Sequence, residues 1–266
     1  MHLFSTDHLI VYVFLLIILV IGLRAGEGIK DIWEYAIANK MFGTTALVMT
    51  YLATEVGGQG VINIAGEAGT TGIIIIVAFM GFPLSFVIQA LFIAPKMVRF
   101  NQCLTMGDVM GALYNDNVKM FVGFFGFIIS ICCAGAELII LGIVFESFLG
   151  LDYHWGILLG GTILTVYVTQ GGMKSVTTTD VIQFLVLLVL LPVLATTALK
   201  HAGGISTVFT SVPADKFQIW QHEKFSFYLV LFLSFGVFGF NNIDPALIQR
   251  ETFAWKIRVL KHFMAV

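Results

Sequence analysis

Charged residues are scarce in this chain of 266 residues. Only 11% of the residues are Asp, Glu, Lys or Arg, whereas 58% are hydrophobic, and the mean hydropathy is +0.95. A chain of this composition has too little polar surface to cover a water-soluble globule of its length. The scarcity excludes a soluble globular protein and predicts an all-α, polytopic membrane protein that has the lipid bilayer as its partner.

Sequence signals for catalysis, metal binding and nucleic-acid binding are also missing. The cysteines are odd in number (Cys103, Cys132 and Cys133) and have no disulfide or metal-site spacing. The histidines form no HExxH pair, and GGMKS at 171–175 lacks the spacing of a phosphate-binding loop. The net charge of −2 gives no reason to expect nucleic acid. We therefore expect neither an enzyme nor a nucleic-acid-binding protein.

Apolar sequence is abundant, in runs close to the length of about 20 residues that crosses a bilayer. A cleaved signal peptide is disfavoured for the first run, since no basic region precedes it and no A-x-A site follows it. We expect about seven transmembrane helices, at 8–24, 44–68, 72–95, 118–148, 155–171, 178–199 and 226–249.

The positive charges predict an orientation. With the N-terminus outside, only Lys200, Lys216 and Lys224 of the 14 Lys and Arg residues lie outside, and the others are cytoplasmic. This bias agrees with the positive-inside rule, and the four tryptophans fall at predicted helix ends, where membrane interfaces favour them. We expect a multi-pass protein of the plasma (inner) membrane with its N-terminus outside.

Polar residues interrupt the second run, in the stretch ATEVGGQGVINIAGEAG (53–69). Glu55, Gln59, Asn63 and Glu67 recur at every fourth position, so on a helix they form a slowly winding polar stripe. Ionisable side chains at membrane depth are costly and are candidates for function. The stripe therefore predicts a surface that faces a cavity or the protein interior.

Glycines lie within the same stretch, at Gly57, Gly58 and Gly60. Each weakens a helix by about 1 kcal/mol relative to Ala, so we expect the helix to break here. A break at membrane depth frees backbone carbonyls, an arrangement with which many secondary transporters hold a cation and a solute. The alternative is a packing face of small residues against another helix.

The seventh run contains a second interruption by Gly, Asn, Asp and Pro, at 236–245. Two broken spans that are five helices apart are what an inverted five-helix repeat predicts. The alternative is that residues 241–245 form a cytoplasmic turn after a short helix.

Three stretches resemble the sodium:solute symporter family. QGGMKSVTTTDVIQF (170–184) has that family's Gly-Gly, a small residue before Val, and Thr-Asp followed by two hydrophobic residues and Gln. The stretch 53–69 resembles the family's first broken helix, and DPALIQRETFAWK (244–256) resembles the end of its sixth core helix. The resemblance covers almost the whole chain. It implies a leucine-transporter-type inverted-repeat fold and secondary active transport, with sodium as the coupling ion.

The resemblance assigns the sodium-related residues. It implies that the backbone carbonyls of Ala53 and Val56 bind sodium, that Glu55 takes part in ion coupling, and that Asp180 receives sodium near the cytoplasmic mouth. An alternative for Asp180 is that of an acid at a helix N-terminus, with residues 177–179 as caps.

The resemblance also places a small organic solute against the first, third and sixth core helices. An amino acid, quaternary amine or organic acid is expected rather than a sugar, because the stretch 76–82 is apolar where sugar transporters are polar. The acidic residues favour a cationic or zwitterionic solute. Glu67 has the alternative of lying in water at the helix end, and Glu137 that of a structural bond between helices. The candidate solute-binding residues are Gln59, Asn63, Glu67, Glu137 and Asn241.

Family members continue for several more helices, one of which completes the sodium site. We therefore expect a truncated part of a symporter. The alternatives are a remnant that does not transport, a chain that works with a separate chain supplying the missing helices, or a membrane sensor or scaffold. The predicted units are an extra leading helix and loop (1–43), a first five-helix repeat (44–200), an external loop (201–225), and the first helix of a second repeat with a truncated end (226–266).

Overall fold

Helices form every regular element in the part of the chain that the computed structural model describes, which is residues 6–38, 41–100 and 103–236. This confirms the all-α fold class. A π-helix at Gln89–Ile93 and 3-10 turns at Val98–Phe100 and Ala214–Phe217 join them. The α-helices are α1 (Thr6–Ala25), α2 (Ile32–Ile37), α3 (Thr44–Glu55), α4 (Gly58–Thr71), α5 (Ile75–Phe79), α6 (Gly81–Ile88), α7 (Ala94–Met97), α8 (Met106–Leu113), α9 (Asp116–Leu149), α10 (Tyr153–His201), α11 (Ile205–Ser211) and α12 (Phe225–Gly236).

Four helical segments in the described residues are long and apolar enough to cross a membrane: His8–Ala25, Ile75–Ile93, Asp116–Leu149 and Tyr153–His201. The first three match the first, third and fourth predicted runs. The second predicted run is divided between α3 and α4, each too short to span alone. Several spanning segments in one chain confirm a polytopic membrane protein.

The long helix α10 contains a sharp reversal at Gly172. Its φ of 48° and ψ of −139° are not helical. Gly161 and Gln183 line one cavity, although about 33 Å would separate them along a straight helix. The chain therefore folds back, and α10 is two helices that correspond to the fifth and sixth predicted runs.

The interior contains small polar residues, and the outside is apolar. Thr50, Ser175 and Thr179 are fully buried, whereas Phe92 and Phe121 are more than 60% exposed. A water-soluble protein has the opposite distribution. Membrane helices pack through small and hydroxyl residues, because lipid tails solvate large apolar side chains as well as a core does.

The long helix α10 packs extensively against four of the other described helices. It contacts α1, α2, α3 and α9, and the buried hydroxyl of Ser175 donates a hydrogen bond to the carbonyl of Gly22 in α1. The helix α12 packs instead against α5 and α6. The helix that leads to the start of α4, α3, is thus held against α10.

The segment before α12 fixes the other end of α4. The ammonium of Lys216 donates a hydrogen bond to the carbonyl of Thr70, in the last turn of α4. The amide of Ile73 donates to the carbonyl of Lys216 over 2.9 Å. A cation at a helix C-terminus is favoured by the helix dipole, so this contact stabilises the end of α4.

The predicted unit boundaries fall close to helix ends. Helix α3 begins at Thr44, α10 ends at His201, and α12 begins at Phe225. The division into two repeats stays a prediction, since α12 is described only as far as Gly236.

Candidate functional site

The second predicted run breaks where its glycines lie. Helix α3 ends at Glu55 and α4 begins at Gly58, with Val56 (φ −93°, ψ 31°) and Gly57 (φ −61°, ψ 165°) between them. This confirms the predicted break. Neither residue has a positive φ, so the break follows from weak helix propensity and not from backbone strain.

The break changes the environment of the last carbonyls of α3. The carbonyl of Leu52 still accepts a hydrogen bond from the amide of Val56 over 2.9 Å. The carbonyls from Ala53 onward have no amide four residues later within the same helix, because the helix has ended. Freed carbonyls are hard oxygen donors of the kind that bind metal cations such as sodium in transporters.

A cavity of about 880 Å³ lies beside the break, between α1, α3, α4, α9 and α10. Ala53, Val56 and Gly57 form one wall, and most of the remaining wall is Leu, Val and Ile. The polar side chains that line it are Glu137, Thr165 and Gln183. Pockets for small organic molecules measure about 300 to 1,000 Å³, so this cavity has the size and apolar walls of such a site.

Glu137 reaches the break from the middle of α9. Its carboxylate Oε1 lies 3.0 Å from the position that a Cβ on Gly57 would occupy. One turn further on, Ile140 Cγ2 lies 3.4 Å from the corresponding position on Gly58. The glycines therefore both break the helix and let α9 approach closely. The predicted helix break and the alternative of a small-residue packing face both apply to them.

The other members of the polar stripe lie elsewhere. Glu55 is half-buried in the last turn of α3 and is not among the residues that line the cavity. Asn63 is exposed on α4. Glu67 accepts a hydrogen bond from the hydroxyl of Tyr228, where α4 meets α12. That hydroxyl also lies 3.3 Å from Thr71 Oγ1, so Glu67 takes part in a contact between helices.

Two predicted solute-binding groups, the side chain of Gln59 and the whole of Asn241, lie outside the described residues. Of the remaining predicted residues, the structure brings Ala53, Val56 and Glu137 together around the cavity.

Asp180 lies in α10, two turns after the reversal at Gly172. The hydroxyl of Thr50 in α3, which is fully buried, donates a hydrogen bond to its carboxylate. The interpretation of Asp180 as an acid at a helix N-terminus, with residues 177–179 as caps, is wrong, because the helix is already continuous through those residues. Asp180 instead ties α10 to α3, one turn before Ala53.

Sequence reasoning missed two polar residues of the cavity, Thr165 and Gln183. Each is a polar residue within an apolar run, which is a usable signal at membrane depth. Gln183 belongs to the motif at 170–184, which carries the family resemblance but by itself assigns Gln183 no role.

The fold and the site together define a class: a polytopic helical membrane protein in which a helix breaks beside an open cavity between helices. The chain belongs to the sodium:solute symporter family, whose model matches residues 35–252.

The chain is similar to several curated proteins. It is 23% identical over 254 residues to the high-affinity proline transporter PutP of Bacillus subtilis (strain 168), which covers 91% of this chain and 53% of that protein. It is also 23% identical over 216 residues to a sodium/proline symporter of Staphylococcus aureus, covering 79% of this chain and 42% of that protein. The chain spans about half the length of the curated relatives it matches. No solved structure matches it.

Proposed function

We propose that this chain takes part in secondary active transport, in which sodium entry drives the uptake of a small organic solute. The observation that supports this most is the break between α3 and α4, which lies beside a cavity whose wall includes Ala53 and Val56. In a coupled transporter, ion binding and solute binding must affect each other. A broken helix that contributes to both sites provides this coupling.

Sodium is the transported ion in this proposal. The carbonyls of Ala53 and Val56 bind it, because unwound backbone gives a hard cation oxygen ligands without a buried charge. Glu55 lies in the last turn of α3, and its negative charge favours a cation nearby.

Asp180 is proposed to receive sodium on its way to the cytoplasm. Its hydrogen bond from Thr50 places it one turn from Ala53 along α3. A carboxylate in this position can bind sodium after the ion leaves the carbonyls of α3 and before it reaches the cytoplasmic water.

The solute is proposed to be an amino acid of proline-like size. The cavity combines apolar walls for a hydrocarbon ring with the carboxylate of Glu137. The names of two relatives specify proline, so proline is the first solute to test.

The membrane is proposed to be the plasma membrane, with the N-terminus outside. This orientation puts Cys103, which precedes α8, in the cytoplasm. Burial, and then the nearby charge of Asp108, raise the pKa of the Cys103 thiol, so labelling should be slow at neutral pH and faster at alkaline pH. An impermeant maleimide should label Cys103 in inside-out vesicles, whereas labelling of Cys103 in intact cells would contradict the orientation.

The function is tested by measuring the uptake of radiolabelled proline from the medium into vesicles that contain the protein, under an inward sodium gradient. Accumulation should collapse when potassium replaces sodium and when an ionophore dissipates the gradient. Proline accumulation that is equal with and without sodium would contradict the proposal. Insertion without uptake would favour a remnant, a chain that needs a second chain, or a sensor.

A further inference from the structure

The cavity beside the broken helix has one source of net charge. Among the described residues that line it, Glu137 alone is ionisable; Thr165 and Gln183 are neutral, and the other side chains are apolar or absent. The sign of the charge on Glu137 therefore sets the sign of the charge in the cavity. A carboxylate that accepts hydrogen bonds from its surroundings still carries that charge and still attracts cations.

Glu137 lies at the N-terminal end of α4. It lies against Gly57, the N-cap residue of α4, which makes no side-chain capping hydrogen bond. The first amides of a helix need acceptors from outside the helix, and the dipole makes this end positive. Glu137 thus occupies the end of α4 where the carboxylate of a solute would otherwise be attracted.

The space next to Glu137 suits an organic cation. The cavity of about 880 Å³ is far larger than a bare ion, and Leu138, Leu141 and Leu164 supply apolar wall near the carboxylate. An ammonium group with a hydrocarbon body can pair with the carboxylate while its carbon atoms contact those walls.

We propose that Glu137 determines solute specificity by pairing with the ammonium group of the solute, so that the site selects amines over organic acids that lack one. This inference rests on the proposed function, in that it assigns the solute class to the same cavity.

Three ligands with a five-membered ring separate the two charges of the solute. Proline carries both an ammonium and a carboxylate, pyrrolidine carries only the ammonium, and cyclopentanecarboxylate carries only the carboxylate. The purified full chain is heated with each ligand, with sodium or potassium present. Unfolding is followed by the loss of helical circular dichroism. A ligand that binds the folded state raises the melting temperature.

Proline and pyrrolidine should raise the melting temperature, and cyclopentanecarboxylate should not. The variant Glu137→Gln should lose the pyrrolidine shift, with affinity falling by about tenfold or more, as expected when one partner of a charge pair is removed. The variant Glu137→Asp keeps the charge and should retain part of the shift. Glu146→Gln is the matched control, since Glu146 is exposed on the same helix and does not line the cavity.

Three results with the organic ligands would overturn the assignment: cyclopentanecarboxylate acting as strongly as pyrrolidine, pyrrolidine acting equally on Glu137→Gln, or no amine acting on the wild-type protein. A loss of the sodium shift alone in Glu137→Gln would assign Glu137 to the ion and also overturn it. The proposed function is tested by a separate assay, sodium-driven proline uptake in vesicles. Amine binding without such uptake would contradict the function and leave the role of Glu137 standing.

Discussion

Two Gly-Gly pairs interrupt helices in this protein, with different consequences. Gly57 and Gly58 separate α3 from α4 beside a cavity, whereas Gly171 and Gly172 reverse α10 against α1 and α2. At the first pair the nearest groups are the side chains of Glu137 and Ile140. At the second pair a Cβ on Gly172 would lie 2.3 Å from the carbonyl oxygen of Tyr35.

The backbone differs in the same way. Gly57 has a φ of −61°, which any residue adopts, while Gly172 has a φ of 48° and a ψ of −139°. Glycine is thus required at Gly172 by both conformation and space, whereas at Gly57 it acts through its weak helix propensity and the room it leaves for the flexible side chain of Glu137. The first pair leaves carbonyls and a carboxylate around a cavity, and the second makes a tightly packed corner.

Substitution of Gly172 should therefore have the largest effect on stability. Gly172→Ala combines an unfavourable backbone conformation, costing about 1–3 kcal/mol, with overpacking of about 1–3 kcal/mol. Denaturation in mixed detergent micelles should show a loss of stability of that combined size. Gly123→Ala is the control, because a Cβ there meets nothing within 4 Å. Equal stability of the two variants would contradict the comparison.

The hydrogen bond between Thr50 and Asp180 links the helix that leads to the first pair with the helix that follows the second. Thr50→Val removes the donor and should destabilise by about 1–3 kcal/mol, because the carboxylate loses a buried partner. Thr50→Ser keeps the hydroxyl and should recover most of this loss. The same unfolding assay checks both variants, and a loss in Thr50→Ser with none in Thr50→Val would show that the methyl group matters and the hydroxyl does not.

Substitution of Gly57 should have the smallest effect on stability and a clear effect on binding. Gly57→Ala places a Cβ 3.0 Å from Glu137 Oε1, and that flexible carboxylate can move aside. Stability should change by less than about 1 kcal/mol. The pyrrolidine affinity should fall by about tenfold, equivalent to 1.4 kcal/mol, when the carboxylate is displaced. Gly66→Ala on α4 meets nothing within 4 Å and should bind normally; a binding loss equal to that of Gly57→Ala would contradict this account.

The sequence predicted the features that depend on local physics. The break at 56–57 follows from glycine propensity, and the spanning helices follow from apolar runs of sufficient length. Glu137 could be selected because a carboxylate in the middle of an apolar helix is costly wherever that helix packs.

The features that depend on distant contacts could not be predicted. Thr50 and Asp180 are 130 residues apart, and hydropathy gives no sign that a threonine is fully buried. The stripe of Glu55, Asn63 and Glu67 suggested one shared cavity, but the break between α3 and α4 changes the direction in which these residues point. The reversal at Gly172 determines where the second half of α10 starts, and no local pattern indicated that Asp180 would lie two turns inside it.

The central claim is that the break between α3 and α4 frees carbonyls to bind sodium. The most direct test is binding of ²²Na⁺ to the purified chain, compared with a variant in which Gly57, Gly58 and Gly60 are all alanine. Each alanine favours a continuous helix by about 1 kcal/mol, which would pair the carbonyls of Ala53 and Val56 again. The account predicts saturable sodium binding by the wild-type chain and an affinity lower by about tenfold or more in the alanine variant. Equal sodium binding by the two proteins, with circular dichroism showing both folded and the variant no less helical, would contradict it.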